Sequence, residues 1–455
     1  MKNSSKNNYD KMLNAPIERL LISLSIPTIL SMMVTNIYNV ADTAFVGQLG
    51  TSASGAVGIV FGFMAILQAI GFTFGQGAGS HISRNLGDRR ADSASRIAST
   101  AFLFSFAVGA LVALICYFTL DDLIMFLGST ETIAPYARTY IIYILSTAPF
   151  MVSSFTLNNI LRYEGKAFYG MIGLLAGALI NILGDLVFMF VLNMGIAGAG
   201  LSTALSQVIS FICLLWAFIS GKTQCKLRPE NVRYDFKEIM DIIATGMPSL
   251  LRQGLGSLTT IMLNTEAAVY GDAGVAGMSI VSRLFFFVFS IAVGVGQGFQ
   301  PICGFSYGAK KYGRLRKGFK TSIIFSEVLM IVFGSICFVN APFFTALLRD
   351  DPDVIAVAVR ALRLQCVALL FLPLAMMTEM LLQVTGKKLQ AVVLSTLRNG
   401  LIFIPILYIM ARLRGLAGIQ EAQPLAYVFS FVPAVVCAYR FFKALPEDME
   451  TDSNI

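Results

Sequence analysis

The chain is written twice. Displaced by 221 residues and without a gap, Pro27 falls on Pro248, Gly50 on Gly271, and Ile59-Val60 on Ile280-Val281. Gly75-Gln76-Gly77 then meets Gly296-Gln297-Gly298, Arg89-Arg90 meets Lys310-Lys311, and Gly165-Lys166 meets Gly386-Lys387. Apolar stretches coincide by chance at Leu and Ile, but seldom at Pro, Gly and Gln. Near the end of each copy the register slips by one: Gly195 pairs with Gly415 and Ser210 with Ser430. A one-residue difference in the loop before the sixth helix accounts for that. The fold therefore has to be two copies of one structural unit.

Composition says what the unit is made of. Of 455 residues 56% are hydrophobic and only 13% charged, with a mean hydropathy of +0.73. That much apolar surface requires lipid as the exterior solvent. Twelve apolar runs recur, at roughly 19–43, 52–78, 94–118, 135–160, 168–192, 196–219, 240–265, 273–300, 319–341, 355–384, 390–411 and 416–441. Each can cross a hydrocarbon core of about 30 Å. Each must be helical, because lipid offers the backbone no hydrogen-bond partner. The expected fold class is all-α integral membrane, with twelve transmembrane helices in two six-helix bundles. An even number of crossings per copy makes the two bundles parallel repeats.

Charge orients the chain. Lys and Arg crowd alternate connections, at 2–19, 84–96, 162–166, 222–237, 310–320, 387–388 and 440–443. The other connections hold only Arg138, Arg349, Arg412 and Arg414 and carry Asp121, Asp122, Glu131, Glu266, Asp272, Asp350, Asp351 and Asp353 instead. By the positive-inside rule both termini are cytoplasmic, so the net charge of +8 is mostly membrane topology. There is no soluble basic domain for a nucleic-acid partner. The expected organisation is a flexible cytoplasmic N-terminus at 1–18, an N-lobe at 19–220 and a cytoplasmic linker at 221–238. A C-lobe at 239–445 and a cytoplasmic tail at 446–455 complete it.

Several chemistries are excluded. His81 is the single histidine, which rules out multi-His metal sites and Ser-His-Asp catalysis. No Walker-type Gly-Lys-Ser/Thr loop is present, so ATP does not drive this chain directly. The seven cysteines lack metal-ligand spacing and read as small core residues. No cofactor is expected beyond a coupling ion. Glycine clusters at 71, 75, 77, 79 and at 294, 296, 298 have two readings, close helix packing through small residues or sites of bending. Pro27 and Pro248 lie inside apolar runs and are the candidate hinge or kink positions.

Polar residues inside the spans are functional candidates, since an ionisable group near mid-bilayer costs roughly 2.5–3.5 kcal/mol. Asp42 lies at the edge of a polar stripe on the first helix formed by Asn36, Asn39 and Thr43. Asp185 follows Asn181 by one turn on the fifth. The sixth helix carries Thr203, Ser206, Gln207 and Ser210 along one face, and the fourth carries Ser154 and Asn158. Converging carboxylates, amide oxygens and a hydroxyl would make an oxygen-only site for a bare cation or a shared proton. The competing reading puts Asp42 or Asp185 at a helix end in the headgroup layer. The repeat supplies a control: Asp42 corresponds to Leu263 and Asp185 to Ile406, so the acids occur in one copy only. The second copy has Arg252, Gln253, Arg283, Glu327, Arg363, Gln365, Glu379, Arg398 and Asn399. Its arginines either neutralise Glu327 and Glu379 or contact substrate. Glu379 aligns with Asn158 by the repeat, which places it toward a space between the lobes.

The run Tyr38-Asn-Val-Ala-Asp42-Thr-Ala-Phe-Val-Gly47-Gln-Leu-Gly50, with Leu161-Arg162-Tyr-Glu-Gly165, Asn181-Ile-Leu-Gly-Asp185 and the duplicated frame, resembles the multidrug and toxic compound extrusion (MATE) family. The resemblance covers the chain from about Pro16 to Tyr439 and is nearest the bacterial branch of DinF- and MepA-like exporters. It implies a V-shaped 6+6 bundle that exports amphipathic, often cationic compounds in exchange for H⁺ or Na⁺ by alternating access. It implies a monomer in the bacterial cytoplasmic membrane. The cation site it implies matches Asp42, Asn158, Asn181, Asp185 and Thr203; the polar residues themselves, read apart from the resemblance, place Asn36, Asn39, Gln207, Glu379 and Arg283 toward the substrate chamber. An acid on the seventh helix, the family's other pattern, is poorly met, Glu266 being the nearest. The alternatives are a flippase or exporter of a lipid-linked or polysaccharide-type substrate and, more remotely, an integral-membrane enzyme.

Overall fold

The structure is a computed structural model. It describes residues 2–446, except the side chains of residues 2–7, 39 and 40. The described residues are helical almost throughout, in the order α1 (Lys2–Asn14), α2 (Ile17–Gly47), α3 (Thr51–Gly87), α4 (Ala91–Phe118), α5 (Leu120–Phe126), α6 (Ala134–Tyr163), α7 (Ala167–Asp185) and α8 (Ile196–Ile219). After the linker come α9 (Phe236–Ala268), α10 (Gly271–Gly308), α11 (Tyr312–Val339), α12 (Ala341–Leu348), α13 (Pro352–Ala368), α14 (Leu372–Val384), α15 (Lys388–Thr396), α16 (Phe403–Arg414) and α17 (Leu416–Lys443). Three spans are built from two pieces. A π segment, Leu186–Val191, extends α7, a 3-10 turn at Leu369–Phe371 joins α13 to α14, and a second π segment, Leu397–Leu401, joins α15 to α16.

Eleven helices among the described residues are long and apolar enough to cross a membrane. The twelfth is α9, whose 33 residues are long enough but are diluted by Arg252, Gln253, Thr259, Thr260 and Asn264. The two-repeat, twelve-span class read from the sequence is the observed one.

The repeat reappears in the backbone. Arg89 and Lys310, both non-glycine, take φ of 59° and 57°. Gly165 and Gly386 take 78° and 82°. Each ends a helix with the same return bond: Arg90 N–H to Asn85 O matches Lys311 N–H to Ser306 O, and Lys166 N–H to Leu161 O matches Lys387 N–H to Leu382 O. Gly195 and Gly415, one residue out of register, take 56° and 59°. At 195 and 415 the chain must reverse in the left-handed region that a side chain disfavours.

The chain divides into two compact units. One contains residues up to Tyr9 and Leu30–Gly246, the other Asp10–Ile29 and Met247 onward. In the first unit, Val46, Val60, Phe63, Leu67, Tyr140, Ile144 and Val152 share one core. In the second, Leu263, Met278, Val281, Leu362, Phe403 and Leu407 form the corresponding one. The segment expected to be flexible at 1–18 is instead helical over Lys2–Asn14. Met12 and Leu13 are buried, and Arg314 donates to the carbonyls of Met12 and Ala15. An apolar pair at the end of a polar stretch suffices to dock it. Of the tail, residues 447–455 lie outside the described residues.

Glycine sets the closest approaches. A Cβ on Gly77 would lie 2.0 Å from Ile242 O, and one on Gly246 1.9 Å from Thr73 O, so α3 and the start of α9 meet backbone to backbone. The repeat-related contact in the other unit brings Gly298 of α10 against Ser25 of α2, where an added Cβ would lie 2.8 Å from the Ser25 nitrogen. Of the two readings of the glycine clusters, close packing is what these positions do. His81 ties the same α3–α9 crossing: its Nε2 lies 3.1 Å from both Thr245 Oγ1 and Asp241 Oδ2. Pro27 and Pro248 are both inside continuous helices, α2 and α9.

Candidate functional site

Small residues on α7 decide what α8 can bring near it. Gly173 packs on Leu214, Gly177 on Ser206 and Ser210, and Gly184 on Ser202. This glycine face draws the helices together until Asn181 reaches across. Its Nδ2 donates to Thr203 Oγ1 at 3.3 Å and toward Ser202 Oγ at 3.5 Å. Ser202 Oγ returns a bond to the Asn181 carbonyl at 2.8 Å. Tyr140 of α6 closes the set, its hydroxyl 3.2 Å from Thr203 Oγ1. With the amide nitrogen held by hydroxyls, the Asn181 side-chain oxygen is left without a donor.

One turn later Asp185 ends α7, where the helix widens into the π segment. Such widened turns recur at functional sites. Asp185 is fully buried and Asp42 is 9% exposed. The two carboxyls are immediate neighbours, and Tyr38 and Tyr140 border Asp42. Among the described residues, neither oxygen of Asp185, nor Oδ1 of Asp42, nor Oδ1 of Asn181 accepts a hydrogen bond. Buried polar atoms are ordinarily satisfied. Four buried acceptor oxygens, three of them on the two acids, fit a cation or a proton shared between those acids.

The structure thus brings Asp42, Asn181, Asp185 and Thr203 together. It does not bring Asn158 to them. Asn158 Nδ2 donates to Gly170 O at 2.9 Å, and Gly170 lies on the opening turn of α7, whose last residue is Asp185. Fifteen residues of helix put about 22 Å between those positions. Asn36 and Gln207 are half-buried, and the side chain of Asn39 lies outside the described residues. Arg283 is exposed on α10. Glu379 is 1% exposed and bonded to Arg252 at 2.6 Å, an ion pair inside its own unit and the neutralisation by arginine that was one of its two expected roles. Among the described residues, Glu327 has no base beside it. Tyr38, Tyr140 and Ser202 went unnoticed as site residues. Tyr38 was findable, since it precedes Asp42 by one helical turn, whereas Tyr140 and Ser202 become neighbours only through helix packing.

A helix bundle built twice, with ionisable groups buried inside its spans, has the architecture of a membrane transporter. The MatE family model matches residues 27–187 and again 248–409, so the chain belongs to that family, whose proteins are transporters and not enzymes. The multidrug export protein MepA of Staphylococcus aureus is 26% identical over 426 residues, covering 93% of this chain and 94% of that protein. MepA of Staphylococcus saprophyticus is 26% identical over 420 residues, 92% and 93% of the two chains. Among solved structures, the outward-facing conformation of a multidrug resistance MATE family transporter of the MOP superfamily matches with a TM-score of 0.91. It is 24% identical over 96% of this chain and 98% of that one. A MOP superfamily transporter from Pyrococcus furiosus matches with a TM-score of 0.90 at the same identity and coverage.

Proposed function

We propose that this chain is a multidrug exporter that expels amphipathic, often cationic compounds in exchange for H⁺ or Na⁺. It resides in the bacterial cytoplasmic membrane with both termini cytoplasmic. The observation that carries the reading is the pair of adjoining buried carboxylates with donor-free oxygens around them, present in one copy of the repeat and replaced by Leu263 and Ile406 in the other. A scaffold requirement would recur in both copies, whereas a coupling site is needed once.

The energetics support the assignment. One charge moving down 100 mV releases roughly 2.3 kcal/mol, and tenfold accumulation costs about 1.4 kcal/mol. One entering cation can drive a neutral compound outward by somewhat under two decades. A singly charged drug leaving one-for-one cancels the voltage contribution, so its export needs the ion's chemical gradient or a second ion. Two acids in one site can take two protons, or one Na⁺ with Asn181 and Thr203 completing an oxygen shell. Filling that site reshapes the drug site and favours the other-facing state of an alternating-access cycle.

Drug and ion therefore compete. In purified protein, the affinity for a fluorescent cationic dye should fall as pH drops or as Na⁺ rises, and Asp42→Asn should abolish that dependence. A dye affinity indifferent to pH, to Na⁺ and to the substitution would refute the competition.

A further inference from the structure

In the second unit Glu379 lies between two guanidiniums. Arg252 Nη1 is 2.6 Å from its Oε1 and Arg398 Nη2 is 3.7 Å from its Oε2. None of the three is more than 7% exposed. One carboxylate does not neutralise two guanidiniums, and arginine keeps its proton in proteins. The cluster therefore holds an excess positive charge where water is scarce, a costly arrangement unless a counter-charge joins it. Of the other acids of this unit, Glu421 is taken by Arg360 and Arg414, and Asp351 caps α13.

The donors for a counter-charge are in place. Arg398 Nε and Nη2 are buried and, among the described residues, have no hydrogen-bond acceptor. The guanidinium sits 5.9 Å over the Phe289 ring. Phe289 stacks on Phe285, and Phe285 on Tyr427, each with centroids 5.7 Å apart. Tyr427 is an electrostatic neighbour of Arg398. Its hydroxyl oxygen accepts from Gln423 at 2.9 Å, and Gln423 accepts from Gln365 at 2.7 Å. That relay leaves the phenolic proton of Tyr427 to be donated. Arg398 itself stands in the π segment Leu397–Leu401, which is tied to α9 through Thr259 Oγ1 donating to Asn399 O at 2.9 Å. At the repeat-related positions the first copy has Ser31, Asn158, Gly177 and Gln207 in place of Arg252, Glu379, Arg398 and Tyr427. The shared scaffold does not demand the cluster.

We propose that Arg398, Arg252 and Tyr427 form an anion site within the second unit, taking a halide or a monovalent oxyanion such as a carboxylate group. The anion completes the neutralisation that Glu379 begins. Its source is either an inorganic ion or the acid group of an amphipathic solute. The site shares no residue with the Asp42–Asp185 pair, so the two assignments fail independently.

The test uses the purified full-length chain in detergent, titrated with potassium bromide and separately with potassium octanoate. Potassium gluconate, bulky and hydroxylated, serves as the ionic-strength reference, and octanol as the uncharged control. The readout is the thermal unfolding midpoint, which a ligand of the folded state raises saturably. Bromide or octanoate should raise it beyond gluconate. Arg398→Gln should weaken that affinity at least about tenfold, and Glu379→Gln, which adds to the excess charge, should tighten it at least about tenfold. Saturation by bromide identifies an inorganic counter-ion, and saturation by octanoate but not octanol identifies an acid group; either supports the site. Absence of saturable stabilisation by both anions overturns it, as does undiminished affinity in Arg398→Gln. Should Arg398→Gln not fold, the decision passes to Glu379→Gln, where an unchanged or weakened affinity is the contrary result.

Discussion

Gly77→Ala is the substitution whose cost the structure states most directly. The added methyl would lie 2.0 Å from the carbonyl oxygen of Ile242 and 3.1 Å from the nitrogen of Gly246. Both are backbone atoms of α9, and no rotamer change relieves the clash. The helices must part by about 1 Å, because attraction gives way to steep repulsion well outside 2 Å. Overpacking of this kind costs about 1–3 kcal/mol, against roughly 0.5–1 kcal/mol gained by removing a helical glycine. Gly62 on the same helix is exposed and has nothing within 4 Å of its Cβ position, so Gly62→Ala keeps the gain alone. Thermal unfolding of the two variants in detergent separates these contributions. Gly62→Ala should match or exceed the parent, and Gly77→Ala should fall below it, with Gly298→Ala behaving likewise through Ser25. A Gly77→Ala protein as stable as Gly62→Ala would refute the close crossing.

Two further outcomes follow from single side chains. Glu164 is fully buried, and its carboxylate accepts the N–H groups of Gln224 and Cys225 at 2.8 and 3.2 Å. Asn8 Nδ2 donates to its backbone carbonyl, and Lys166 and the Cys225 thiol are its charged and titratable neighbours. Burial, outweighing those bonds, pushes its pKa up to about 7. A raised carboxyl stabilises the fold fully below its ordinary value and loses that contribution as pH rises through about 7, on the order of 3 kcal/mol across the window. Glu164→Gln should flatten the unfolding midpoint between pH 4.5 and 8, and an unaltered slope would contradict the assignment. Tyr140→Phe removes the hydroxyl partner of Thr203 and should cost about 1 kcal/mol while weakening the ion's competition with a cationic dye. An unchanged ion dependence would place Tyr140 outside the site.

Legibility in the sequence followed the range of the interactions. The repeat, the helical class and the turns at Arg89/Lys310 and Gly165/Gly386 are local, and each was visible as a residue pattern. Asp42, Asn181, Asp185 and Thr203 were named because polar groups in apolar runs have few other uses. Asn158 shares that chemistry, yet it faces the first turn of α7, and no spacing rule distinguishes the two faces without the packing. The α7 glycines were visible, but that they admit α8, and so join Asn181 to Ser202, is a tertiary fact. That arginines neutralise Glu379 was legible in the composition of the second copy, but which ones was not, since Arg252 and Arg398 arrive from α9 and the α15–α16 break. The linker was recognised by charge alone. Its attachment depends on hydroxyls of α4: Ser95 accepts from Lys226 N–H, Ser99 from Arg228 N–H and Thr100 from Arg233 N–H.

The central claim is that Asp42 and Asp185 jointly couple ion entry to export. The most direct test is dye efflux from right-side-out membrane vesicles, with pH and Na⁺ gradients imposed separately on the parent, Asp42→Asn and Asp185→Asn at matched protein levels. At least one gradient should drive efflux in the parent and neither should do so in either variant. Full gradient-driven efflux with either acid replaced would contradict the account.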